Sequence, residues 1–368
     1  MSRIYNFGAG PATLPFEVLE EVRDEFLDYP FEGRGLGMSI VEMSHRSKAY
    51  DVINEEAEAD MKELLGLGGS HRVLFMQGGA TTQFSMIPMN FLKNGQTADY
   101  VLTGVWSEKA LAEAKKVGNT HIAASGKASN YSVLPKASDI MLSENPAYVH
   151  ITSNNTIFGT QWRDFAPLNL NPGKNTLVCD MSSDILSYPF NAGDFGLIYA
   201  GAQKNIGPAG LTVGIIRKEL AENNDKNLPI MLQYETYAKN NSLYNTPPVF
   251  AVYIMGKVLK WIKKNGGLSK MAERNQDKAK LIYDVIDRHP DFFKGHASPE
   301  SRSFMNITFR LPSEELEADF VKQALASGMS GLKGHRSVGG LRASIYNGMP
   351  KDGCKALAEF MLEFMHKA

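Results

Sequence analysis

The chain has 368 residues, 43% of them hydrophobic and 21% charged, and a formal net charge of -1. That balance fits a globular protein of about two domains. It excludes the strong net field that draws nucleic acid or an acidic membrane, so an anionic ligand requires a local cluster of cations.

Two cysteines, Cys179 and Cys354, offer neither a disulfide framework nor metal-ligand spacing and suit a reducing compartment. Met1–Phe7 lacks the pattern of a signal peptide, and no run approaches the roughly 18 apolar residues of a membrane span. The expected location is the cytoplasm.

From Pro15, Val18, Leu19, Val22 and Phe26 recur at helical spacing, with Glu17, Glu20 and Glu21 near the positive end. Val73-Leu74-Phe75-Met76 reads as a buried strand, followed by a glycine turn and a helix carrying Phe84, Ile87 and Phe91. Short apolar runs around Tyr100–Leu102, His121–Ala123, Tyr148–Ile151, Leu177–Cys179 and Leu197–Tyr199 repeat the strand signal. Such alternation predicts an α/β fold, a mostly parallel sheet with helices on both faces. A long helix from about Pro248 to Lys264 stops at Gly266-Gly267. After a further helix, Met305–Phe309 opens a smaller α+β unit that closes with an amphipathic segment from Lys355 to Met365. The expected division is 16–265 as a large domain, with 1–15 and 266–368 forming a small one.

The most informative stretch is Ala200–Gly210. Lys204 follows a buried strand, at the sheet edge where open α/β folds bind ligands, with small residues on both sides. A lysine amine there can join an aldehyde cofactor. The plain alternative is a surface lysine in a glycine-rich loop. Asp180 ends the preceding strand, where a carboxylate can keep the ring nitrogen of pyridoxal 5'-phosphate protonated; the alternative is a helix cap or turn aspartate. Gln77–Gln83 is a glycine turn into a helix, whose free amides and the hydroxyls of Thr81 and Thr82 suit a phosphate, although such turns often only connect elements. Trp106 starts a helix after a strand and can stack on a planar ring, or serve as a half-buried structural indole. Two basic pairs, His45-Arg46 and His335-Arg336, and then Arg342, stand among glycines and small polar residues. Individually each reads more simply as a solvated surface residue or an ion-pair member, while the shared context favours an exposed anion pocket over a helix face.

Phe7-Gly8-Ala9-Gly10-Pro11, Ser44-His45-Arg46, Ala200–Gly210, Asn245-Thr246-Pro247-Pro248 and Gly334–Gly340 together resemble the phosphoserine aminotransferase family, within the class V aminotransferases of fold type I. The likeness runs from the N-terminus to the final helix. It implies an enzyme of serine biosynthesis that moves the amino group of glutamate to 3-phosphohydroxypyruvate. It implies Lys204 as the Schiff-base lysine, Asp180 on the pyridine nitrogen and Trp106 on the ring face. Ala80, Thr81 and Gln203 match cofactor-binding positions, and Thr156 matches the hydroxyl near the ring's 3-oxygen. Asn245 and Thr246 resemble the pair that reaches the cofactor phosphate from a neighbouring subunit, so the resemblance implies a homodimer with shared sites. His45 and Arg46 also resemble residues lent across a dimer, whereas His335, Arg336 and Arg342 match substrate-anion positions. Two departures stand out: Thr81 occupies a place where many bacterial members carry arginine, and Ala9 one where some relatives carry serine. A second substrate in the pathway that makes pyridoxine is left open.

Two rival readings are weighed. Cysteine desulfuration on the same fold needs a mobile, exposed thiol, whereas Cys179 lies in a buried strand pattern and Cys354 in a helical one. A regulatory protein that binds the cofactor without turnover has no need of cations at Arg46, Arg336 and Arg342.

Overall fold

A computed structural model describes residues 3–222 and 225–368. Met1 and Ser2, which open the segment assigned above to the small domain, lie outside the described residues.

Among the described residues, seven strands form the central sheet, in the order His71–Met76, Thr212–Arg217, Phe195–Gly201, Leu177–Asp180, Val149–Thr152, Thr97–Leu102 and Asn119–Ser125. Six run in one direction, and Thr212–Arg217 runs against both its neighbours. The two-residue period of a strand divides the side chains between two cores. Val73, Phe75, Cys179, Ile198 and Ala200 face one core, built with the helices Phe16–Glu25, Lys48–Leu64 and Val249–Lys264. Leu74, Met76, Val178, Leu197 and Tyr199 face the other, with the helices Gly79–Phe91 and Val105–Ala114. Burial on both faces explains why these strands read as continuous apolar runs. The antiparallel strand Thr212–Arg217 is the strand of this sheet that the sequence reading passed over, as it did the helix Lys48–Leu64.

A third core joins Phe7 to Ile282, Phe309, Phe320, Leu341, Leu357 and Phe364. Its helices Gly267–Arg288, Glu314–Ala326 and Lys351–Lys367 accompany a sheet of Lys294–Gly295, Asn306–Arg310 and Leu341–Ser344. Tyr5–Asn6 pairs in parallel with Met329–Ser330. The long helix before this unit ends at Lys264, and Gly266 takes a positive φ of 90° that a side chain resists. The next helix begins in the large core, through Leu268 and Met271, and reaches the third core at Ala279 and Ile282. Its Lys278 is buried and donates to the carbonyls of Ile345, Tyr346 and Met349 at 3.0, 2.7 and 3.2 Å. Those bonds satisfy the chain as it leaves the Leu341–Ser344 strand. Among the described residues, no helix is long and apolar enough to cross a membrane.

Candidate active site

The site lies where the C-terminal ends of the parallel strands meet the smaller sheet. Asp180 closes its strand, buried, and its Oδ1 accepts from the Ser182 amide at 2.9 Å and the Ser182 hydroxyl at 2.6 Å. Ser182 Oγ in turn accepts from the Gly201 amide at 3.1 Å, which ties Asp180 to the turn that carries Lys204. Burial pushes the Asp180 carboxyl up, while the Lys204 charge and the Ser182 bonds pull it down. The Lys204 amine is pushed down by burial and by Arg342, against the opposing pull of Asp180. Each charge therefore partly offsets the burial of the other.

Trp106 stands at the start of the Val105–Ala114 helix, with the Lys204 ammonium 5.4 Å from its ring centroid and that of Lys109 at 4.7 Å. Its indole N–H donates to Thr156 Oγ1 at 3.0 Å, which leaves the buried Thr156 hydroxyl its own proton to donate. Arg342 reaches across from the smaller sheet and donates from Nη1 to the Thr156 carbonyl at 3.1 Å. Its Nε has no partner among the described residues. Lys204, Asp180, Trp106, Thr156 and Arg342 thus form one cluster.

His335 is held beside it. Its Nδ1 lies 2.7 Å from the Ser337 hydroxyl and accepts from the Ser337 amide at 3.2 Å, so in the neutral ring the proton sits on Nε2. Burial, then Arg342, Arg336 and Lys109, push the imidazole down, which places all three cations around it. Lys109 is a member of this basic group that the sequence reading omitted.

The glycine turn behaves differently from expectation in one respect. Gly78 and Gly79 have φ of 94° and 67°, and a side chain at Gly78 collides with Thr82. Thr82 spends its hydroxyl on the Gly78 carbonyl at 2.9 Å, so it is no donor to a ligand. Ala80 and Thr81 remain at the open start of the 13-residue helix, with Thr81 exposed. Asn245 and Thr246 are exposed too, and Gln77 Nε2 donates to the Thr246 carbonyl at 3.2 Å, holding that loop near the turn. Arg46 is exposed and His45 half-buried just before the Lys48–Leu64 helix, and among the described residues neither side chain has a hydrogen bond or ion pair to the Lys204 cluster. Arg336 is likewise exposed.

The N-terminal segment closes one side. The Ala12 amide donates to the Gln203 carbonyl at 2.9 Å, and a Cβ on Gly10, at φ 142°, would stand 3.3 Å from Lys204 Cγ. The Tyr346 hydroxyl donates to the Ala9 carbonyl at 2.9 Å. Residues 9–12 therefore pack on the Lys204 turn as well as on the smaller unit. Ser182 could have been found from its Asp-x-Ser spacing, since such a serine folds back on the carboxylate. Both cysteines are buried, and burial pushes Cys179 well up and Cys354 up to about 12, so neither is a poised thiolate.

The sequence model of the Aminotransferase class-V family matches residues 4–357. The chain belongs to the class V aminotransferase family. Within that family, it is 57% identical over 362 residues to a phosphoserine aminotransferase of Niallia circulans, covering 98% of each chain. Among solved structures, it superposes with a TM-score of 0.95 on a phosphoserine aminotransferase from Bacillus circulans subsp. alkalophilus, at 56% identity and 99% coverage of each chain. Another phosphoserine aminotransferase structure, solved to follow radiation damage of its Schiff base, matches at 51% identity with a TM-score of 0.94 and full coverage of both chains. As in other class V aminotransferases, the architecture is that of fold type I, and this chain is an enzyme of that class.

Proposed function

We propose that this aminotransferase moves the amino group of glutamate to 3-phosphohydroxypyruvate, giving phosphoserine and 2-oxoglutarate, with pyridoxal 5'-phosphate as cofactor. The observation that carries the reading is the convergence of a buried carboxylate, the amine of a half-buried lysine and an indole at one sheet edge, faced by Arg342. Relatives at more than half identity over nearly the full length bear the matching name.

The residues present fit the cofactor. Asp180 has no arginine or lysine in ion-pair contact among the described residues, so its negative charge is available to a ring N–H. The Gly78-Gly79 turn leaves helix amides open toward a phosphate. Lys204 would hold the cofactor through Nζ, Trp106 would cover the ring, and Thr156 would donate to the ring's 3-oxygen. Ala80, Thr81 and Gln203 would meet the phosphate end, joined by Asn245 and Thr246 of a second copy. When bound, pyridoxal phosphate supplies an electron-withdrawing ring that acidifies the α C–H of an amino acid joined to it.

The protein's own part is proton handling and orientation. Lys204 Nζ takes up the α-proton, which requires the uncharged amine. Burial and Arg342 favour that form by lowering the pKa. Asp180 holds the ring N–H. Arg342 takes the substrate carboxylate in its planar fork, a geometry lysine cannot copy. His335 and Arg336, with His45 and Arg46 of the second copy, receive the phosphate. The working unit in this reading is a homodimer in the cytoplasm. Residues 16–265 carry the cofactor, and residues 1–15 and 266–368 close the substrate side.

The test is spectroscopic. Purified protein loaded with pyridoxal phosphate should lose its visible absorption band on adding glutamate and regain it on adding 3-phosphohydroxypyruvate, with phosphoserine found by mass spectrometry. Lys204→Ala should show neither change. A wild-type band that ignores glutamate would sink the assignment.

A further inference from the structure

Behind Asp180 lies a row of buried polar groups that the proposed reaction does not use. Tyr199 is the cross-strand neighbour of Asp180, and His150 is that of Val178, two residues before Asp180. The period of two places Asp180, Tyr199 and His150 on one face of the sheet. His150 Nε2 lies 2.9 Å from the Tyr199 hydroxyl. Tyr199 is in turn among the side chains that hold the Asp180 carboxyl down. All three side chains are buried.

The direction of these bonds follows from what His150 lacks. Tyr100 stacks on its ring at 5.0 Å and 25°, and spends its hydroxyl on Tyr148 at 2.7 Å, so Nδ1 has no partner among the described residues. Burial lowers the imidazole to about 3, so it is neutral and carries one proton. A buried N–H without an acceptor is rarer and costlier than an unused lone pair. The proton therefore sits on Nε2, and His150 donates to the Tyr199 oxygen. Tyr199 keeps its phenol proton, since burial and then the Asp180 charge push it well up. With its oxygen already accepting from His150, the O–H is free for Asp180, its cross-strand neighbour on the same face. The donors of the row then run in one direction, toward the carboxylate.

We propose that Tyr199 and His150 are positioning residues that keep Asp180 ionised for the ring nitrogen of the cofactor it would hold, His150 acting through Tyr199. The proposal rests on the reading of Asp180 given above. Burial on its own favours the protonated acid, which cannot accept the ring N–H as an ion pair. Lys204 and Ser182 also oppose that tendency, while Cys179 and Asp184 are the other titratable groups that feel the Asp180 charge, and Tyr100 and Tyr234 act on Tyr199. Of these, Lys204 gives up its charge while working as a base. Tyr199 and His150 stay neutral throughout, so their support is constant through the cycle.

The experiment loads the full-length protein with pyridoxal phosphate labelled with ¹⁵N in the ring and reads the nitrogen signal near neutral pH. In the wild type the signal stands at the protonated position. Tyr199→Phe removes one oxygen from a ring that stays buried, and should shift the proton from nitrogen toward Asp180 about ten-fold or more. His150→Phe should shift it in the same direction by about three-fold, because the Tyr199 bond is only weakened. His150→Gln, whose amide N–H can replace the imidazole donor, should return it to within about two-fold of wild type. Asp180→Ala should give the unprotonated position outright. A Tyr199→Phe signal equal to wild type, with Asp180→Ala displaced, overturns the proposal alone. An undisplaced Asp180→Ala signal overturns the reading of Asp180 and the proposal with it. Weaker cofactor binding in Tyr199→Phe without any move of the nitrogen signal marks Tyr199 as a packing residue and also overturns it.

Discussion

Replacing Arg342 with leucine interrogates a side chain that crosses from the smaller sheet to the Lys204 cluster. Nη1 already holds the Thr156 carbonyl at 3.1 Å, and Nε has no partner among the described residues. Nε and Nη2 thus form the free edge of the fork, and two parallel bonds to a substrate carboxylate are lost in Arg342→Leu. At about 1.5–3 kcal/mol for each charged hydrogen bond, kcat/KM should fall by about two to four powers of ten. The fall should be similar for glutamate and for the keto acid, since both bring a carboxylate to the same place. A second effect has a definite sign. Arg342 is one of the groups that lower the Lys204 amine, so its loss lets that pKa rise. Less of the amine is then uncharged at a given pH, and the rising limb for cofactor attachment by the full-length apoprotein should move to higher pH. Arg342→Lys keeps a charge without the fork, so it should leave that limb near wild type while recovering only part of the rate. Steady-state kinetics with both substrates, and attachment rates followed by absorbance across the pH range, supply the numbers. A loss below ten-fold with both substrates would refute the carboxylate assignment; an unmoved limb would refute the electrostatic one.

Three further outcomes are expected. Ser153 has one hydroxyl proton but faces both the Asp180 carbonyl at 3.1 Å and Asp184 Oδ1, a conflict resolved if Asp184 is itself protonated, and burial does push it up to about 7. Because the unfolded chain releases that proton near 3.8 and the folded one near 7, stability should fall as pH rises through that window; Asp184→Asn should flatten this part of the melting-temperature profile, and an identical profile would contradict it. Mixed chains of Lys204→Ala and Arg46→Ala, each inactive alone, should regain activity on subunit exchange because one site of the heterodimer is intact, whereas a fully active monomer by light scattering excludes sharing. Arg336→Leu should narrow the preference for 3-phosphohydroxypyruvate over hydroxypyruvate by about one to two powers of ten, through loss of a charged contact to phosphate; equal kcat/KM for the two acids in wild type means the basic group does not read phosphate.

Local chemistry was enough to find most elements and several members of the cluster. Asp180 and Lys204 each sit just past an apolar run, and a strand's end is legible from its own composition. Trp106 follows a glycine after such a run, and the structure starts a helix there. The same local signals mislead where a side chain has a choice of partner. Thr82 looks like a ligand donor, but its own turn supplies an acceptor four residues back. His45-Arg46 and Asn245-Thr246 stand apart from the Lys204 cluster within this chain, so resemblance rather than contact is what assigns them.

The sequence by itself determined the alternation of strand and helix, the burial of the inner strands and the stop at Gly266, because propensity, period and backbone freedom act over a few residues, whereas the edge strand Asn119–Ser125 leaves Ile122 exposed. Strand order is another matter. Thr212–Arg217 turns back on Phe195–Gly201 locally, but its second antiparallel pairing, with His71–Met76, reaches across more than a hundred residues, which no local pattern encodes. The same pairing brings His150, Tyr199 and Asp180 onto one face, although in the sequence His150 and Tyr199 are ordinary strand residues. Packing then lays residues 9–12 on the Lys204 turn and swings Arg342 to Thr156. These contacts are long-range, and their energy exists only once the chain has closed on itself.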